Sequence, residues 1–442
     1  MITPWPARTR PLGLLAKMLA IVACAGMLAT PGLAEVSELS AAQVIAAPDM
    51  PMPGYLQPAT DPAFGTPFMR ITNPGHELMP GAACDAAHCT HRYSSAQAWN
   101  ADQSLLAITM GCAGFCFLDG HSYKPAFHRP GSDECEWHPS DPALMLCVSR
   151  SEVYAWAPRT DARTTLYAPA NYTGLQFGPY KGNPSADGNT LVVRAVSAAG
   201  VPVAFAYDIA RKVKHPDIDL AKLAGINNFC SISPSARFVF CFQDMADESN
   251  QSYVFTADGV PVQHWAENHR PGHGDMVLDG NGDDVYVGIS KSDPDKYHVI
   301  KRRLRDGVVT DLVTFGEGQH ASIRNVNRPG WVFLSYSGAY PTLGEHPDWA
   351  PFYMEIVALR TDGSGGLRRI VHTRSVKAGY SSEAHASPSP DGTQVIWASN
   401  WGNAGGPVAA YVATLSWAAP PIQENKRVRD RAISPKPKPL SR

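Results

Sequence analysis

The residues with the most chemistry to offer are three histidines and two carboxylates at matching points along the chain. Glu383, His320, His273 and Asn227 stand at one shared position ahead of a repeated turn. His385 and Asp275 follow two residues later, the next same-side position of a strand with period two. Imidazole and carboxylate together suit a divalent cation, Zn, Mn or Ca, so His273, His320, Glu383 and His385 are read as its ligands. The same imidazoles titrate near neutral pH and suit proton transfer. One histidine of this kind is usually a packed residue; three at matching registers beside Glu383 are read as a site.

A second group lies, on this reading, across the ring from the first. His91-Arg92-Tyr93 precedes the first turn, Glu134, Glu136 and His138 flank the second, and Tyr180-Lys181 precedes the third. His91 and Tyr93 supply a base and a phenol, equipment for deprotonating an acidic sugar. Arg92, Tyr180, Lys181 and Asn227 are the candidate substrate contacts, cations and polar groups fit to recognise an acidic sugar. Trp99, Trp137, Trp331, Trp397 and Trp401 offer stacking faces, although core packing is the commoner fate of a Trp at a strand end. Cys84, His88, Cys89 and His91 have the residue types of a zinc site, set against the disulfide reading below.

What positions these residues is a repeat. His385 to Ser399 reads as strand, tight turn, strand, with Ser389-Pro390-Asp391-Gly392 supplying a fixed φ, a side chain that bonds its own backbone and a Gly free to take positive φ. Six earlier stretches share the pattern, at Trp99-Asn100-Ala101-Asp102, Trp137 to Asp141, Pro184 to Gly188, Ser231 to Ser235, Leu278 to Gly282 and Val326 to Gly330, each leading into an apolar run. They recur roughly every 40 to 50 residues, the spacing of four-stranded propeller blades. The predicted fold is all-β, a seven-bladed β-propeller over residues 61–419. Phe68 to Thr72 is expected to supply the strand that the last blade lacks, closing the ring and removing its free edges.

Composition agrees. The chain has 442 residues with 37 Gly and 38 Pro, and a net charge of -2 that gives no reason to expect nucleic acid as a partner. Arg8 and Arg10, an apolar run from Leu12 to Leu28 and Gly32-Leu33-Ala34 read as a signal peptide over 1–34. The expected location is therefore periplasmic or secreted, the alternative being a lipoprotein anchored through Cys24. No second apolar run reaches the ~18 residues of a transmembrane segment. Residues 35–60 read as a leader and 420–442 as a basic, Pro-rich, disordered tail. Nine cysteines less Cys24 leave eight, in close pairs: Cys84 with Cys89, Cys112 with Cys116, Cys135 with Cys147, Cys230 with Cys241.

No Gly-rich phosphate loop, nucleophile elbow or His-Glu-x-x-His helix is present, which excludes those classes. Asp61-Pro62-Ala63-Phe64-Gly65-Thr66, Arg70-Ile71-Thr72, Tyr93-Ser94 and Trp99 to Asp102 resemble the opening of secreted seven-bladed propellers of the ulvan lyase and rhamnosyl-glucuronate lyase group. Glu383 to Ser387, Ser389 to Gly392 and Ser399-Asn400-Trp401-Gly402 are similar to the closing stretch of oligogalacturonate lyases, with Ser387 where their Gln-x-x-His-x-His pattern has its second His. The resemblance implies β-elimination on a uronic acid, with His91 or Tyr93 taking the proton and a metal at His273, His320, Glu383 and His385. The expected partner is an acidic poly- or oligosaccharide and the expected state a monomer. The competing class is a non-catalytic propeller that binds a glycan, peptide or envelope protein on its channel face.

Overall fold

The computed structural model describes residues 43–417, apart from 179–180, 248, 267–270, 292, 294 and 337–350. The expected signal segment with Cys24, the basic tail and Tyr180 lie outside the described residues.

Local chemistry makes the hairpins. In the last blade the amide of Gly392, at φ +69°, donates to the Ser389 carbonyl and closes the turn. Asp391 Oδ1 accepts from the amide of Thr393 at 2.9 Å and from the Ser389 hydroxyl at 2.9 Å. Blade three repeats the device with Ser185, Asp187 and Gly188 at φ +74°. A Ser, an Asx turn and a Gly thus set the hairpin wherever they recur.

Each hairpin joins the innermost strand of a blade to the second. Blade two shows the plan: Glu134–Trp137, Met145–Val148, Val153–Ala157 and Ala162–Tyr167 pair as a four-stranded antiparallel sheet. Blades four, five and six repeat it, and blade three carries a fifth short strand. In blade one Trp99 makes only a single bridge to Leu106, so its sheet proper has three strands.

Seven sheets of this kind form the ring, and the last is built from both ends of the chain. Pro67–Arg70 pairs with Val408–Thr414, placing an N-terminal strand outside Ser387–Pro388, Gln394–Ser399 and Val408–Thr414. Pro58–Thr60, within the stretch read as leader, pairs with Pro67–Arg70 and widens this sheet. The backbone earlier still is tied down. Arg369, His372, Arg374 and Trp401 donate to the carbonyls of Gln43, Ile45, Pro48 and Met50.

The apolar faces of the sheets meet between blades. Phe333, Ile356 and Val371 of blade six pack with Val395, Trp397 and Tyr411 of blade seven, all buried. No blade covers its own face, so the ring is stable only as a whole. Removing the Trp397 ring would cost about 3–5 kcal/mol.

All four expected disulfides are present: Cys84–Cys89, Cys112–Cys116, Cys135–Cys147 and Cys230–Cys241. The zinc reading of Cys84, His88, Cys89 and His91 is therefore corrected. Both sulfurs are spent on each other, and His91 is buried elsewhere.

Candidate functional site

Irregularities of the inner strands aim the histidines. In blade five the pairing slips between Gly272 and Asp275, and His273 takes φ +47° between two glycines. In blade six it slips between Gly318 and His320. In blade seven His385 takes φ +45° just before the inner strand. An extra residue or a left-handed residue turns a side chain out of its period-two direction.

The result is a cluster of rings at one mouth of the channel. His273 stacks on His320 with ring centroids 4.6 Å apart, and His320 lies 4.3 Å from His385. Glu383 Oε2 lies 3.5 Å from His320 Nε2 and 3.8 Å from His385 Nε2. One donor atom from each of His320, Glu383 and His385 falls within 4.8 Å of the others, and all three residues are buried. His273 stands outside that triad, exposed at the rim. Its Nδ1–H donates to the Gln319 carbonyl at 3.0 Å, which leaves Nε2 as the bare nitrogen of the neutral ring.

Part of the second group, Tyr93, Lys181 and His91, joins the first instead of facing it across the ring, which corrects the expected layout. The buried Tyr93 ring lies 5.3 Å from His320 and 5.0 Å from His385. Lys181 Nζ sits 5.3 Å from the centre of that ring and donates to Asn228 Oδ1 at 3.1 Å. His91 is buried, and its Nε2–H donates to the carbonyl of His385 at 2.6 Å. The channel is narrow enough for blades one, three, six and seven to share one set of contacts.

Three expected residues are engaged differently. Asp275 belongs to an internal ion pair: Arg324 donates to it from Nε at 2.7 Å and from Nη2 at 2.8 Å, and the amide of Ile323 donates at 3.0 Å. Its inclusion among the cation-type residues is corrected, because the bulge after Gly272 turns it toward blade six. Arg92 pairs with Glu136. Asn227 folds back on blade four, its amide 3.4 Å from the Phe229 and Phe242 carbonyls, and its neighbour Asn228 meets Lys181. Of the other residues flanking the early turns, Glu134 accepts from the amide of Phe177 at 2.7 Å and His138 Nδ1 from the amide of Asp141 at 3.0 Å. Trp99, Trp137, Trp331 and Trp397 are core residues.

Two residues escaped the sequence reading. Lys377 Nζ lies 2.9 Å from Glu383 Oε1. Tyr380, 54% exposed, has its ring 4.8 Å from His385 and parallel to that of Tyr93. Neither stands at the repeat register, and the only signal was their closeness in sequence to Glu383.

Burial sets the protonation states. It pushes the pKa of His385 down to about 3, helped by His91, and that of His91 down to about 4. His320 is held well below the ordinary value by burial and then by His385 and His273. His273 is also lowered, by desolvation and then by Lys291. Tyr93 is raised by burial, so its phenol stays protonated. The imidazoles are thus neutral near pH 7, the state in which they can ligate. The Nε2 atoms of His320 and His385 face Glu383, and that of His385 also lies 3.2 Å from the Tyr380 carbonyl. Among the described residues the buried Nδ1 atoms of both rings have no hydrogen-bond partner, so each imidazole keeps a nitrogen free to ligate.

No protein-family model matches the chain, and no curated protein matches it in sequence. Solved structures do match in shape. A manganese complex of an oligogalacturonate lyase superposes with a TM-score of 0.57 at 16% identity, covering 81% of this chain and 96% of the other. An oligogalacturonate lyase from Vibrio parahaemolyticus superposes with a TM-score of 0.55 at 12% identity, with the same coverage. This chain shares their fold. At such identity the likeness extends to the propeller and no further.

The other end of the channel offers a cavity of about 220 Å³ lined by Trp99, Trp137, Met276, Ile323 and several prolines. Its charged lining is already engaged, Glu136 by Arg92 and Arg324 by Asp275. The reactive side chains are gathered at the histidine mouth.

Proposed function

We propose that the protein is an exported, metal-dependent lyase that cleaves a uronate-containing oligosaccharide by β-elimination. The observation that carries this reading is the triad of His320, Glu383 and His385, three buried donors converging where Lys377 pairs with Glu383 and Lys181 lies over the Tyr93 ring. The propeller shared with oligogalacturonate lyases and the four disulfides, which suit an oxidising compartment, support it.

His320, Glu383 and His385 would hold the divalent ion, which would act as a Lewis acid that offsets the uronate carboxylate's charge. Lys181 adds a fixed cation on the same side. His273, exposed and with Nε2 bare, is placed to take the proton from the carbon next to the carboxylate. The electron pair then forms the ring double bond as the bond to the glycosidic oxygen breaks. Tyr93, kept protonated, is placed to give that oxygen its proton. Tyr380 offers an exposed face for a sugar ring.

The test is ultraviolet absorbance from the unsaturated uronate when manganese-loaded protein meets oligogalacturonate and a panel of other acidic glycans. Absorbance that rises for one substrate and is lost in Glu383→Gln and His320→Ala, both still folded, is the expected result. No product from any substrate would replace this reading with that of a binding propeller.

A further inference from the structure

We infer that His91 is the positioning residue of the triad: its hydrogen bond to the carbonyl of His385 fixes the left-handed backbone that aims the His385 ring. This inference rests on the metal-centre reading above for its consequence, though not for its geometry.

His385 adopts φ +45° without being a glycine, a left-handed backbone in which an L-residue's Cβ crowds the carbonyl that follows. Such a conformation persists only where the surroundings over-determine it. His273 reaches nearly the same φ by another route, with Gly272 and Gly274 on either side and a bulge to accommodate them. His385 has no such neighbours. Ala384 and Ala386 flank it, both 1% exposed.

Its own segment holds the ring and the residue before it, with His385 Nε2 3.2 Å from the Tyr380 carbonyl and the Ala398 amide donating to the Ala384 carbonyl. The bond on the His385 carbonyl comes from blade one. The Nε2–H of His91 donates to the His385 carbonyl at 2.6 Å, a bond between residues 294 positions apart. Among the described residues no other donor reaches that carbonyl, and the Nδ1 of His91 has no partner, so this contact is the hydrogen bond that each group makes. A second link follows at once: the Ser387 hydroxyl donates to the Ala96 carbonyl at 2.9 Å. Blade one therefore holds the chain at His385 and just after it. His91 itself is 3% exposed and points its only N–H into backbone, so it acts through His385 and has no path to substrate.

The experiment compares His91→Leu, which removes the donor, with His91→Gln, whose amide N–H can reach the same carbonyl. Manganese affinity is followed by the electron paramagnetic resonance of free ion, with circular dichroism and thermal unfolding as controls on the fold. His91→Leu is expected to weaken manganese binding about 10–100-fold, as loss of an outer support typically does, and His91→Gln to recover most of it. Equal affinity in the wild type and His91→Leu, or a His91→Gln no better than His91→Leu, would overturn the inference. A crystal structure of His91→Leu gives a readout free of metal: φ of His385 is expected to leave the left-handed region, and its persistence there would overturn the inference. Should the wild type take up no manganese, the metal-centre reading fails, and the His385 backbone still decides the role of His91. If His91→Leu does not fold, His91→Asn, whose amide falls short of the carbonyl, takes its place.

Discussion

The carboxylate of Asp275 is gripped by both Nε and Nη2 of Arg324, at 2.7 and 2.8 Å, inside the wall between blades five and six. Asp275 is 4% exposed and Arg324 9%. Removing one partner strands the other charge in a dry setting, which costs about 3–5 kcal/mol, far more than an exposed pair is worth. Asp275→Ala is therefore expected to lower the unfolding free energy by that amount in a denaturant titration. The folded fraction should bind manganese as the wild type does, and a lost metal site in well-folded Asp275→Ala would return Asp275 to the ligand set.

Why that residue misled the sequence reading is physical. Period two along a strand holds only while the pairing is regular, and the slip between Gly272 and Asp275 breaks it. The repeat of Ser, Asp and Gly turns made the blades and the ring closure legible, because each turn carries its own chemistry in four or five residues. The same alignment brought His273, His320, Glu383 and His385 to one mouth, since all four lie at or just before the start of the inner strands that face the channel. Tyr380 and Lys377 lie in a loop whose path is set by tertiary contacts, such as the Asn400 side chain bonding both the amide and the carbonyl of Val376, and no periodicity marks them.

A pH dependence follows from Asp61, which ties the N-terminal segment to blade six. Burial raises its pKa, but hydrogen bonds from the His372 ring and amide and the charge of His372 outweigh it, and the net shift is downward. A carboxyl held below its unfolded value of about 3.9 stabilises the fold above that pH, and the contribution fades as pH falls through it toward the folded value. Asp61→Asn is expected to be less stable than the wild type at neutral pH. The gap should narrow on acidification below about pH 4. Parallel denaturant curves across that range would show it, and a gap constant with pH would sink the account.

Two of the disulfides join register partners on neighbouring strands. Cys135 faces Cys147 in blade two, and Cys230 faces Cys241 in blade four. Each closes a loop, of 12 and 11 residues in sequence separation, around a blade turn. Constraining the unfolded chain over such a loop is worth about 3 kcal/mol. Replacing either pair by serines is expected to lower stability by about that much in chemical unfolding while leaving the histidine cluster in place. A Cys135→Ser/Cys147→Ser protein as stable as the wild type would show that the strands hold register without the bond.

Gly274 tests the bulge that presents His273. A Cβ at this position would lie 2.1 Å from the Val287 carbonyl oxygen and 2.7 Å from the Cα of Gly288, backbone atoms that cannot swing aside. The close approach is the bulge itself: Gly272 pairs with Ile289 and Asp275 with Val287, so the chain between them must press against the facing strand. Gly274→Ala can be accommodated only by prising the inner strand from its neighbour, which breaks the bond from the Gly274 amide to the Tyr286 hydroxyl. Overpacking of this kind costs about 1–3 kcal/mol. The displaced His273 should also lose its stacking on His320 and its bond to the Gln319 carbonyl, so activity is expected to fall further than stability. Thermal unfolding with turnover of oligogalacturonate separates the two effects. A Gly274→Ala protein that keeps full turnover would remove His273 from the proton-transfer role.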